Sequence, residues 1–262
     1  MHVSKPIRRT LAVLGVASLP LMLSAPASAD TLNFNLEEIN GSGAQATATI
    51  TTSSDGSLTV EITGSGFTPN QPHAQHIHGS AESTQFFCPP ASADANGDGQ
   101  VATEEGLKQY GGVMVSLTTK GDASADSGLA VERMPVADES GNLDYSRTIP
   151  AADIPAGIAE NIENLHIVQH GLDVNGNDKY DLNSLGESVF AQSLGVQDVP
   201  EEATNPSTCG EVTPVGAVET GSGGTDGAEN LPLFAFGGAA LLGSAAMMAG
   251  LRRRTAGTAD GS

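Results

Sequence analysis

Between residues 32 and 63 apolar and polar side chains trade places at almost every step, and a period of two restricts such a chain to strands. Leu32-Asn33-Phe34-Asn35-Leu36 alternates, Ala44 to Thr52 alternates with threonine, and Ser57-Leu58-Thr59-Val60-Glu61-Ile62-Thr63 does so again. With β-branched residues in these positions, every second side chain lies on one buried face of a sheet. Asp55-Gly56, between the second and third runs, supplies the left-handed turn of a hairpin. Similar short runs recur at Gln75 to His78, Val113 to Thr119, Leu129 to Met134, Leu143 to Thr148 and Leu165 to His170, separated by clusters of Gly, Pro, Asn and Asp. No long stretch of helical period intervenes, so the expected fold is all-β, an antiparallel β-sandwich. Tryptophan is absent and aromatics are few, which leaves the core to Val, Ile, Leu and Ala.

The two ends read differently. Residues 1–29 carry Lys5, Arg8 and Arg9, then an apolar run from Leu11 to Leu23, then Ala27-Ser28-Ala29. That order is a secretory signal peptide with cleavage after Ala29. At the other end, Leu231 to Leu251 is uncharged over 21 residues and is followed at once by Arg252, Arg253 and Arg254. Such a run crosses a hydrocarbon core about 30 Å thick, and the arginines hold its end on the cytoplasmic side. Residues 213–230, rich in Gly, Thr and Ser, read as a flexible stalk, and 252–262 as a cytoplasmic tail. The expectation is an exported domain over residues 30–212, displayed at the cell surface and anchored in the membrane by one C-terminal helix.

Between residues 30 and 230 there are 30 Asp and Glu against 5 Lys and Arg. This surface repels nucleic acid and anionic membranes and attracts cations. The only two cysteines, Cys88 and Cys209, both fall in the exported part, where an even pair reads as one disulfide. No nucleophile elbow and no Cys-x-x-Cys pair is present, so hydrolase and thiol-redox chemistry are unsupported.

Two segments have calcium-loop spacing. In the first, Asp94, Asn96 and Asp98 stand at loop positions 1, 3 and 5, Gly99 at 6, Gln100 offers its carbonyl at 7, and Glu105 stands at 12. Ca²⁺ needs six to eight hard oxygens around a tight turn, which this alternation supplies. Cys88-Pro89-Pro90 precedes it, so the entering helix of an EF-hand is missing. The second segment, Asp173, Asn175, Asn177, Lys179 and Asp181, repeats the spacing less well, with Asp178 where Gly is wanted and Ser184 at position 12; a plain turn capped by its own Asp and Asn side chains is the competing reading.

His76 and His78 are two apart on an expected strand, so both rings leave one face, and His170 ends another strand. Three imidazoles converging from neighbouring strands can hold copper or zinc, and His73 and His166 lie near enough in sequence to supplement or replace one of them.

In order and spacing, these residues resemble the copper,zinc superoxide dismutase fold and the CHRD-type domains similar to it, over about 180 residues from the first hairpin to Cys209-Gly210. The matching features are His76-Ile77-His78, Cys88, the loop from Asp94, His166-Ile167-Val168-Gln169-His170-Gly171, and Cys209. The resemblance implies a Greek-key sandwich, a Cys88–Cys209 disulfide, and copper ligation by His76, His78 and His170. The family's bridging histidine is Asp94 here, no zinc histidines follow, and the arginine that guides superoxide is Pro206. What survives is structural and what is missing is catalytic. The expected function is therefore a non-catalytic, calcium-binding surface or structural module that keeps a copper site, with Asp94 or water completing the shell. The alternatives are a copper-only superoxide dismutase or copper-holding protein, and a calcium-dependent adhesion module. No protein or carbohydrate ligand is named by any residue.

Overall fold

The computed structural model describes residues 30–82 and 86–213. The segments expected to be a signal peptide (1–29), a stalk (213–230), a membrane helix (231–251) and a tail (252–262) lie, Thr213 apart, outside the described residues. Among the described residues, no helix is long and apolar enough to cross a membrane.

The alternating runs become strands: β1 (Asp30–Glu38), β2 (Gln45–Thr52), β3 (Leu58–Ser65), β4 (Gln75–Gly79), β5 (Gly112–Ser116), β6 (Leu143–Ile149), β7 (His166–His170) and β8 (Pro206–Val212). All pair antiparallel in one eight-stranded sheet of order β5-β4-β7-β8-β1-β2-β3-β6. Register puts Phe34 opposite Ala48, Ala48 opposite Ile62 and Ile50 opposite Val60, so the apolar half of each alternation falls on one face. That face joins a single core that also takes Ile77, Val115, Leu143 and Ile167. Because both ends of the strand order contribute to one core, the sheet is curled rather than flat, as strand twist favours. The expected hairpin turn is present: Gly56 has φ +82°, and Asp55 Oδ1 accepts the N–H and hydroxyl of Ser57.

The two free edges, β5 and β6, are joined by side chains. Tyr145 and Arg147, both on β6, reach the backbone just beyond β5: Tyr145 Oη donates to the Thr118 carbonyl at 3.2 Å, and Arg147 Nη1 to the same oxygen at 2.7 Å. The guanidinium's other arm donates to the Gly121 carbonyl.

Strands β4 and β7 are buried on both faces. Their second face is covered by three connections: β4–β5, which carries α1 (Thr103–Tyr110), β5–β6, which brings Gly128 to His76, and β7–β8, which carries α2 (Val189–Ser193) and α3 (Glu201–Thr204). Tyr110, Val168 and Cys209 pack there as a second, smaller apolar cluster. The Cys88–Cys209 disulfide, with Cα atoms 5.7 Å apart, fastens this cover to β8. It closes a loop of 121 residues, which in the chain-entropy model restricts the unfolded chain by about 4 to 5 kcal/mol.

Two elements depart from the sequence expectation. Leu129 to Met134 is not a strand: Val131–Arg133 forms a 3₁₀ turn closed by Arg133 N–H to Ala130 O and Met134 N–H to Val131 O. It is held in place by the Arg133 side chain, which donates to the carbonyls of Lys120 and Asp122. Strand β8 has no alternation to read, since its first five residues are all buried. Pro206 is tolerated at its first position. Gly210 is required, because a Cβ there would lie 2.7 Å from the Asn35 carbonyl.

Arg147→Ala should therefore lower stability by about 2 to 3 kcal/mol, since it strands carbonyls at the β5–β6 seam. Arg147→Lys should recover little of this, because an ammonium lacks the fork that spans Thr118 and Gly121. Urea denaturation of the three proteins checks both.

Candidate metal centre

Alternation on β4 sends His76 and His78 to the covered outer face, and antiparallel pairing sets β7 beside them, with His76 opposite Val168 and His78 opposite His166. The register shifts between Gln169 and His170, and His170 then joins the two rings. Ring centroids lie 5.4 Å apart for His76 and His78, 5.2 Å for His76 and His170, and 5.9 Å for His78 and His170. None of the three is more than 4% exposed.

Each ring has two nitrogens, and backbone carbonyls take one of them. His76 Nε2 donates to Gly128 O at 3.0 Å, His78 Nδ1 to Gly111 O at 3.0 Å, and His170 Nδ1 to Thr204 O. A carbonyl only accepts, so each of those nitrogens carries the proton. His76 Nδ1, His78 Nε2 and His170 Nε2 are left buried with lone pairs and no hydrogen-bond partner. One ring nitrogen from each residue comes within 4.8 Å of the other two. Metal-binding histidines have this arrangement, in which the second nitrogen is fixed by a carbonyl.

The carbonyls are supplied by the cover. Gly111 ends α1 with φ +79°, and a Cβ there would lie 2.7 Å from the Gly79 carbonyl, so only glycine lets this backbone approach β4 closely enough to meet His78. Tyr110 stacks edge-on against His78 with centroids 4.7 Å apart. Burial, reinforced by repulsion from the neighbouring imidazoles, pushes His78 down to about 3 and His76 well below its ordinary 6.5; burial alone takes His170 down to about 4. All three are neutral near pH 7. A set of three neutral nitrogens suits copper or zinc and leaves a coordination position open. A cavity of about 350 Å³ adjoins His76 and His170, with Leu129, Tyr180, Phe190 and Val199 among its walls and no Lys or Arg.

The first calcium-type loop is folded around its own amides. Asp94 accepts from Gly97 N at 2.6 Å and Gly99 N at 2.9 Å; Asn96 Oδ1 accepts from Asp98 N, and Asp98 Oδ1 from Gln100 N. Glu105, in the first turn of α1, reaches back to Ala95 N and Asn96 N. The second loop has the same construction: Asp173 accepts from Gly176 N at 2.7 Å and Asp178 N at 2.6 Å, and Asn177 Oδ1 accepts from Lys179 N. Asp178 takes the left-handed conformation, φ +62°, that Gly99 takes in the first loop. Ser184 does not close this loop. Glu202, fully buried on α3, does so instead, accepting from Val174 N at 2.9 Å and Asp181 N at 2.8 Å.

Among the described residues, two groups of three His, Cys, Asp or Glu bring one ligand atom each within 4.8 Å of one another: the histidine trio, and Cys88 with His166 and Glu211. Neither loop's carboxylates form such a group. Asp94 is not part of the trio's group; its oxygens accept from Gly97 and Gly99. His73 is also apart, with its two nitrogens facing the carbonyls of His170 and Thr68. Sequence reasoning missed Glu202, which no local spacing announces, and the carbonyls of Gly111, Gly128 and Thr204, which no side chain marks.

No protein-family model matches this chain, and no curated protein matches it either. A solved structure described as that of the clock protein EA4 matches at 14% identity over 73% of this chain and 98% of that one, with a TM-score of 0.37.

Because folding depresses the three imidazoles below 6.5, the unfolded chain takes up protons first as pH falls. Their neutral form then contributes stability in full above about pH 6.5, and loses about 1.4 kcal/mol per pH unit per histidine as pH falls toward 4. The denaturant midpoint of metal-free protein should fall between pH 7 and 5, and a flat profile would contradict buried neutral histidines.

Proposed function

We propose that this protein holds a single copper ion on His76, His78 and His170 in an exported domain. The observation that carries the reading is the set of three buried, unpartnered ring nitrogens on rings whose other nitrogens are fixed by carbonyls. In this reading the fold is a Greek-key β-sandwich of the superoxide dismutase or CHRD type. Support comes from the strand order, with β6 beside β3 and β8 beside β1 across long connections. Export by the leader and anchoring by the helix at 231–251 belong to the same proposal, and the Cys88–Cys209 disulfide fits an oxidising compartment.

Copper holding is favoured over dismutation. Superoxide is an anion, the chain carries a net charge of −20, and the cavity beside His76 and His170 is lined by no cation. At the position of the family's guiding arginine, Pro206 is buried opposite His170.

The two Asp-headed loops are proposed as calcium staples in the covering connections, Asp94 to Glu105 and Asp173 to Asp181. The shared placement of Asp94 and Asp173 on the amides of loop positions 4 and 6 supports this, and Glu202 would act for the second loop as Glu105 does for the first. A protein or carbohydrate ligand, as in the adhesion alternative, has no observation behind it.

Cu²⁺ titration followed by electron paramagnetic resonance should give one nitrogen-rich site per chain. His78→Ala should weaken it at least about 100-fold, the loss of one of three ligands. Unchanged affinity in that variant would remove the copper reading, and dismutation near the diffusional ceiling of about 10⁸ to 10⁹ M⁻¹s⁻¹ would replace it with an enzyme.

For calcium, excess chelator should lower the melting temperature, and Glu105→Gln should remove most of that difference. Identical melting curves with and without chelator would leave the loops as plain turns.

A further inference from the structure

The second cluster of potential ligands lies on the same outer face as the trio, at the opposite end of β7. His166 pairs in register with His78, is 3% exposed, and has no hydrogen-bond partner on either nitrogen. Its Nε2 lies 3.4 Å from Glu211 Oε1, and the same carboxylate oxygen accepts the backbone N–H of Cys88 at 3.0 Å. One His166 nitrogen, the Cys88 sulfur and a Glu211 oxygen all fall within 4.8 Å of one another. Nδ1 is thus buried without a partner and Nε2 has only this long approach to a carboxylate, so the position of the ring against sulfur and carboxylate calls for an explanation. While Cys88 is bonded to Cys209 its sulfur is a poor ligand. The disulfide is not sealed in, however: Cys88 and Cys209 line a surface crevice of about 430 Å³ whose rim carries Glu37, Glu38 and Glu211. An acidic rim of this kind concentrates cations.

We propose that reduction of Cys88–Cys209 opens a second metal site, built from the Cys88 thiolate, the His166 imidazole and the Glu211 carboxylate, for a thiophilic d¹⁰ cation such as Zn²⁺ or Cu⁺. The reductant is a dithiol. Two electrons and two protons pass to the protein, the S–S bond breaks, two protein thiols form, and the dithiol becomes a disulfide. Metal binding then displaces the proton of Cys88. Sulfur, nitrogen and oxygen in one group match the ligand types zinc accepts, and water or Cys209 can supply a fourth. The site does not depend on copper at the trio.

Cd²⁺ tests this in the full chain, because only thiolate ligation gives its ultraviolet charge-transfer band and the trio stays silent. The oxidised protein should show no band. After reduction, one equivalent should produce it while circular dichroism stays native. His166→Ala should weaken Cd²⁺ binding at least about 100-fold, the upper end of what losing even a group behind a ligand costs, and Cys209→Ser should retain the band without reductant. Affinity unchanged by His166→Ala would mean chelation by the two thiols alone and would overturn the proposal. So would reduction that unfolds the chain without recovery on adding Cd²⁺.

Discussion

A buried imidazole has to place two nitrogens, and for His76, His78 and His170 the backbone supplies a partner for only one per ring. The carbonyls of Gly111, Gly128 and Thr204 each arrive from a different part of the covering chain, so the cover cannot shift without releasing a ring. The glycine at 111, the stacking of Tyr110, the disulfide that fastens the cover to β8 and the register shift before His170 all serve that placement. The curled sheet provides the base, and its apolar core lies on the other face.

What was legible in the sequence follows from which residues face water. Strands β1 to β3 are half exposed, and alternation announced them. β8 is buried on both faces over its first five residues and opens with proline, so neither period nor propensity marked it. Leu129 to Met134 carries strand-forming residues, yet the Arg133 side chain, bonded to two distant carbonyls, decides its conformation. His76, His78 and His170 could be picked out because spacing and strand ends are written in the chain. The carbonyls that set their tautomers could not, since a backbone acceptor has no residue type. Glu202 was hidden for a related reason: it reaches the second loop from a separate helix.

Charge and burial divide the molecule's polar groups into two kinds. Apart from the buried Glu202, the loop carboxylates are partly satisfied by amides of their own turns and keep some exposure to solvent, where a large negative charge concentrates cations. The trio is buried and uncharged, and burial, with repulsion among the imidazoles at His76 and His78, keeps a second proton off each ring near neutral pH. Hard oxygen donors and neutral nitrogen donors therefore occupy separate environments, so that under the proposed function the two kinds of site would suit different ions.

The two Asp-headed loops differ in how far the chain must travel to close them. In the first, Glu105 bonds an amide 10 residues away; in the second, Glu202 bonds one 28 residues away, across the whole segment that carries α2. Closing a longer segment costs more chain entropy and must wait for the contacts that hold it. The first loop can thus take shape on the nascent chain as soon as α1 forms. The second assembles only when α3 docks, so its order reports that the C-terminal part of the domain, with the Thr204 carbonyl on which His170 depends, has arrived.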